Sequence, residues 1–267
     1  MCPGRERYPA SGAAVVLRDP DVIGSTFMIM DVVDGFTPGF ELPPPFEGHE
    51  EQRYQLGLAY VDGCASLSKL DWRARGLEGL GKPDGFLERQ VVRWTTQLDR
   101  YRTRPLPEFD FVARWLEDNR PVMSPAGLLH GDYSPFNVMV ALDPPPRLAA
   151  ILDWDTGTIG DPLLDLGHLL ARWTEPGEDP VITRQAGGVG GYPSRAEMSK
   201  RYAEQTGRDL TSLPYYEVLA LFKLAVILEG GYARQAAAGV PDGQNSMSEM
   251  APRLLRGAAG FARGQRV

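Results

Sequence analysis

The feature that most constrains this chain is a pair of short apolar runs that each end in carboxylates. The first runs Leu128-Leu129-His130-Gly131-Asp132, leaves four residues before Asn137, and resumes as Val138-Met139-Val140. An apolar pair, a polar loop and a second apolar run read as strand, loop and strand. The second covers Ala149-Ala150-Ile151-Leu152 and closes on Asp153-Trp154-Asp155. It reads as a buried strand that delivers two carboxylates into a turn. Hard-cation sites are built from oxygen donors of this kind, so Asn137, Asp153 and Asp155 are the candidate ligands of Mg²⁺.

The spacing H-x-D-x-x-x-x-N matches the catalytic loop of protein kinases, in which the Asp orients and deprotonates the attacking hydroxyl and the Asn binds metal. Charge builds on non-bridging oxygens during phosphoryl transfer, so such a site needs a held cation and one aimed hydroxyl. Asp132 is then the candidate catalytic aimer. His130 joins it in the candidate set, although an Asp already in the base position makes His130 more suited to locking the loop than to moving a proton.

His130-Gly131-Asp132 with Asn137, then Ile151 to Asp155, then Gly160-Asp161-Pro162-Leu163-Leu164-Asp165-Leu166 resemble the aminoglycoside phosphotransferase and choline kinase superfamily. Within it they are similar to the kinase-like domains related to those fused to acyl-CoA dehydrogenases. Residues 22–35, the stretch 86–90 with Trp94, and residues 222–234 extend the resemblance over nearly everything after Asp19. It implies an α+β, protein-kinase-like fold with a truncated N-lobe remnant and hinge at 1–33 and a mainly helical C-lobe at 34–267. It also implies transfer of the γ-phosphate of ATP, with Mg²⁺, to a hydroxyl of a small molecule, a hydroxyacyl-type metabolite being favoured over an aminoglycoside. The resembled hinge meets adenine through its backbone, which makes Asp31 and Val33 candidate nucleotide contacts. Asp165 is implied to brace the catalytic loop. Asp161 before Pro162 is otherwise accounted for as a helix N-cap with Pro at the first helical position.

One part departs from that pattern. A kinase N-lobe carries a glycine-rich loop and a strand lysine over the phosphates, yet the first lysine here is Lys69, and Gly4 and Gly12 make no G-x-G-x-x-G. The reading favours a piece of a longer protein, the alternative being a catalytically impaired, kinase-like binding protein without the lysine.

Composition narrows the partners. A net charge of -7 argues against a nucleic-acid binder, since phosphate contacts need clustered Lys and Arg. No segment reads as a signal peptide or membrane span, and 218–228 is interrupted by Lys223, so it reads as a buried helix. Cys2 and Cys64 have no metal-ligand spacing, and a reduced cytoplasmic setting fits. Oligomeric state has no signature.

Helical patterns cover 50–70, 86–102, 109–119, 162–173, 215–238 and 247–263. The capping box Ser194-Arg195-Ala196-Glu197 starts another, ending near Gly207. Residues 27–31 read as a strand, the segment through Pro45 as a Pro-rich loop, and 174–193 as a mobile Gly- and Pro-rich loop near the site.

Overall fold

The computed structural model describes residues 13–39, 42–181 and 190–265. Among them are eight α-helices and six short strands, the strands paired into three two-stranded sheets. The leading part is a hairpin, β1 (Ala13–Leu17) antiparallel to β2 (Phe27–Met30). Residues 27–31 were expected to be a strand; Asp31 falls just outside it, and the strand at 13–17 was not anticipated. The link that follows crosses to the rest of the chain where Phe36 and Val140 exchange two backbone bonds of 2.9 Å.

The supposed Pro-rich loop contains a one-turn helix, α1 (Pro44–Glu47), with its prolines in the first turn. No amide is lost there, because first-turn N–H groups have no helical partner anyway. Helix α2 (Glu50–Lys69) buries Leu56, Tyr60 and Leu67, as its pattern predicts. The 86–102 pattern is shorter than expected: a 3₁₀ turn, Leu87–Arg89, precedes α3 (Gln90–Asp99). Its stripe is core, with Leu87, Val91, Trp94 and Leu98 buried. Helix α4 (Phe109–Asp118) follows.

Two hairpin-like pairs then carry the polar turns. Strand β3 (Gly127–Leu129) pairs antiparallel with β6 (Thr158–Gly160), and β4 (Val138–Val140) pairs antiparallel with β5 (Leu148–Ile151), Val138 facing Ile151. Helix α5 (Leu163–Ala171) is buried along its whole length. It begins after Pro162, one residue later than read, while the Asp161 carboxylate accepts from the Leu163 amide at 3.0 Å.

The ends of the 174–193 loop are fastened: the Trp173 indole donates to the Pro193 carbonyl at 2.9 Å, and Arg195 pairs with Glu175 and Glu178. Residues 182–189 of that loop lie outside the described residues. Helix α6 (Arg195–Thr206) starts with the predicted capping box and ends at Gly207 in the left-handed region. Helix α7 (Leu213–Ala237) is the central pillar, continuously buried from Tyr215 to Val226. It packs on α5, α3, α4 and α8 (Met250–Ala262). A Phe109–Phe222 ring stack at 5.0 Å joins it to α4. Fully buried Glu229 is neutralised by two 2.8 Å bonds from Arg104, which a buried carboxylate requires.

Candidate active site

The loop between β3 and β4 rests on the Asp165 side chain. Asp165, in the first turn of α5, accepts from the His130 amide at 2.6 Å and the Gly131 amide at 2.7 Å. Burial raises its pKa, while His130, those two amides and Lys223 pull the other way. The two open loop amides would otherwise be orphans in the core. Gly131 sits at φ +83°, where an added Cβ would meet the Thr156 carbonyl oxygen at 2.6 Å. No other residue type fits that turn without moving it.

His130 is fully buried, and both ring nitrogens have partners. Nε2 lies 2.6 Å from the Leu152 carbonyl oxygen, and Nδ1 accepts from the Asp132 amide at 3.3 Å. The ring lies 4.9 Å from that of Trp154, and the Thr156 hydroxyl donates to the His130 carbonyl at 2.9 Å. The imidazole thus ties the loop to the segment just before Asp153.

Asp132 projects from this base with its side chain 31% exposed. The Asn137 amide donates to its carbonyl at 2.9 Å and to Oδ2 at 3.1 Å. On the other oxygen, Arg172 Nη2 stands 3.3 Å from Oδ1, and His168 Nδ1 is 3.9 Å away. Arg172 is buried and also donates to the carbonyls of Tyr133 and His168. Burial lowers its pKa and Asp132 opposes that shift. His168 is pushed well below the ordinary histidine range, by burial first and then by Lys223, Arg172 and His130. It is therefore neutral, and neither ring nitrogen has a hydrogen-bond partner among the described residues.

Asn137 and Asp153 end adjacent strands. The Leu152 amide donates to the Asn137 carbonyl at 2.8 Å, which brings Asp153 alongside Asn137 at the open end of the β4–β5 pair. Asp153 is exposed and held at φ +59°, a left-handed conformation that Asp tolerates better than most residues. With the Asn137 amide nitrogen committed to Asp132, its amide oxygen is the free donor. One amide oxygen and one carboxylate fit Mg²⁺, which takes a few protein oxygens and completes its shell with phosphates and water. Asp155 lies exposed in the 3₁₀ turn Trp154–Thr156. Among the described residues no cluster of three or more His, Cys, Asp or Glu is set to hold a metal alone.

Of the remaining candidates, Asp31 is exposed and Val33 half-buried, in the link that reaches β4 through Phe36. Sequence reasoning missed Arg172 and His168, and it treated Lys223 only as an interruption in an apolar helix. That interruption was the available signal, because a lone cation in a buried helix needs a partner. A cavity of about 540 Å³ is lined by Ser68, Ser124, Arg208 and Tyr216. It lies beside the residues that precede β3, away from Asp132 and Asp153.

A buried brace under an H-x-D loop, beside a carboxylate at the end of a strand pair, within a helical lobe, defines the kinase-like phosphotransferases as a class. The profile of the phosphotransferase enzyme family, APH, matches residues 12–199, and the chain belongs to that family. It is 31% identical over 233 residues to mouse acyl-CoA dehydrogenase family member 11, a match covering 85% of this chain and 29% of that protein. The chain thus spans less than a third of that relative's length. A Ralstonia eutropha protein catalogued as a candidate aminoglycoside phosphotransferase superposes with a TM-score of 0.78 at 26% identity, covering 97% of this chain and 80% of that one. The GDP complex of aminoglycoside 2'-phosphotransferase-IIIa shares the fold, with a TM-score of 0.59 at 15% identity over 95% of this chain and 77% of that one. Among the described residues no helix is long and apolar enough to cross a membrane.

Proposed function

We propose that this chain carries the catalytic lobe of a small-molecule kinase that moves the γ-phosphate of ATP to a hydroxyl. The observation that carries the reading is the Asp132 carboxylate, fixed by Asn137 and Arg172 yet still 31% exposed. Asp132 orients the acceptor hydroxyl and takes its proton as the oxygen attacks phosphorus. Asn137 and Asp153 would hold Mg²⁺, which when bound neutralises charge on the transferring phosphate. Asp155 stands near enough in sequence to order water around that ion. His130 and Asp165 keep the loop in place. The backbone around Asp31 and Val33 is the candidate adenine contact, and the GDP-bound structural neighbour supports a nucleotide in this fold.

The name of the mouse relative favours a hydroxyacyl-type acceptor over an aminoglycoside. The buried free thiol of Cys64 suits a reduced, cytoplasmic setting. A second reading, a kinase-like binding protein without phosphotransfer, draws support from one observation: the only basic residue within 13–33 is Arg18.

Calorimetric titration of Mg-ATP followed by an acceptor screen separates the two. Asp153→Ala is expected to abolish Mg-ATP binding. Asp132→Asn should keep binding and lose turnover by about 10²-fold or more. Nucleotide binding that is indifferent to Asp153, or full turnover in Asp132→Asn, would overturn the phosphotransferase assignment.

A further inference from the structure

Lys223 lies in the middle of α7, 96% hidden from solvent by side-chain and backbone packing, and its ammonium donates to the Gly131 carbonyl in the loop beneath Asp132. A bare lysine charge in a helix core is costly, and this one is surrounded on four sides. Asp132 faces it from the loop, Asp165 and His168 from α5, Arg172 from the turn after α5, and Arg93 from α3. The Trp94 ring on α3 lies 5.5 Å from the ammonium. Two carboxylates, Asp132 and Asp165, are thus balanced by two buried cations, Lys223 and Arg172, with His168 neutral between them. Asp165 holds the loop by its amides and Lys223 holds the same turn by its carbonyl.

We infer that Lys223 is a positioning residue: it clamps the Gly131 carbonyl so that Asp132 faces the acceptor, an assignment of purpose that rests on the phosphotransferase reading above. Burial lowers the Lys223 pKa to about 8, with Asp132 and Asp165 opposing and the neighbouring arginines reinforcing the fall. The clamp is therefore charged at neutral pH and becomes a weaker, neutral-amine bond as pH rises through about 8. Stability runs the other way. Between about 8 and the ordinary lysine value of 10.5 the unfolded chain binds the proton more tightly than the folded one, so Lys223 makes the fold more stable as pH rises there. Loosening of the loop above pH 8 is thereby separable from unfolding.

The test compares the full chain with Lys223→Met and Lys223→Arg by hydrogen–deuterium exchange in a peptide spanning 128–140, at about pH 7 and about pH 9, corrected for intrinsic exchange. Mg-ATP turnover with water as acceptor is followed on the same samples. In the wild type the loop should exchange about tenfold faster at the higher pH with its melting temperature held. Lys223→Met should exchange fast at both values, and Lys223→Arg should stay protected at both, because a guanidinium keeps its charge. Turnover should fall in the same order. A folded Lys223→Met with wild-type loop protection overturns the inference. If Lys223→Met does not fold, identical pH profiles for the wild type and Lys223→Arg overturn it instead. Absence of turnover in every sample while the loop responds as described removes the phosphotransferase reading and leaves the clamp standing.

Discussion

Asp165 satisfies two buried amides of the loop at once. Replacing it with alanine leaves both donors without a partner, each costing about 1–3 kcal/mol. Asp165→Ala is therefore expected to lose about 2–6 kcal/mol in urea unfolding, and a loss under about 1 kcal/mol would mean that water or another group takes over. At this scale the sequence was legible where the chemistry is local. Asp132, Asn137 and the loop between them are fixed by spacing, and the brace role of Asp165 came through the family likeness. Arg172 and Lys223 were not legible, since they reach the loop from 40 and 92 residues away. An isolated Arg after a helix, or a Lys inside an apolar one, names no partner until the helices are packed.

Helices α5 and α7 are the elements on which loop geometry depends, for they carry Asp165, His168 and Lys223. They approach closely enough that a Cβ on Gly167 would meet the Tyr216 carbonyl carbon and oxygen at 2.7 Å. Backbone cannot swing aside as a side chain does, so Gly167→Ala must push the helices apart at about 1–3 kcal/mol. A melting temperature lower by several degrees is the expected result, and an unchanged one would show that the contact is slack. Element boundaries follow the same logic of local signal. The capping box of α6 is backbone chemistry written in a few residues, and it lies where the sequence puts it. The turn at Pro44–Glu47, the 3₁₀ start of α3 and the three-residue strands are too short to show a period, and only tertiary contacts decide them.

For the molecule as a whole, packing is unequal along the chain. The core runs through α2 to α8, whereas Val16, Met28, Ile29 and Met30 of the β1–β2 hairpin are all exposed. A lone two-stranded hairpin is marginal in water; this one connects through its link to β4, and none of its described side chains is buried. Its strands therefore belong to the low-stability end of the fold. Native-state hydrogen exchange should show amides of 13–30 opening far below the global unfolding free energy, while those of α5 and α7 open only with it. Hairpin protection equal to that of α7 would contradict this, and would mean that the hairpin buries its apolar faces in solution, where the strand and helix packing described above leaves them open.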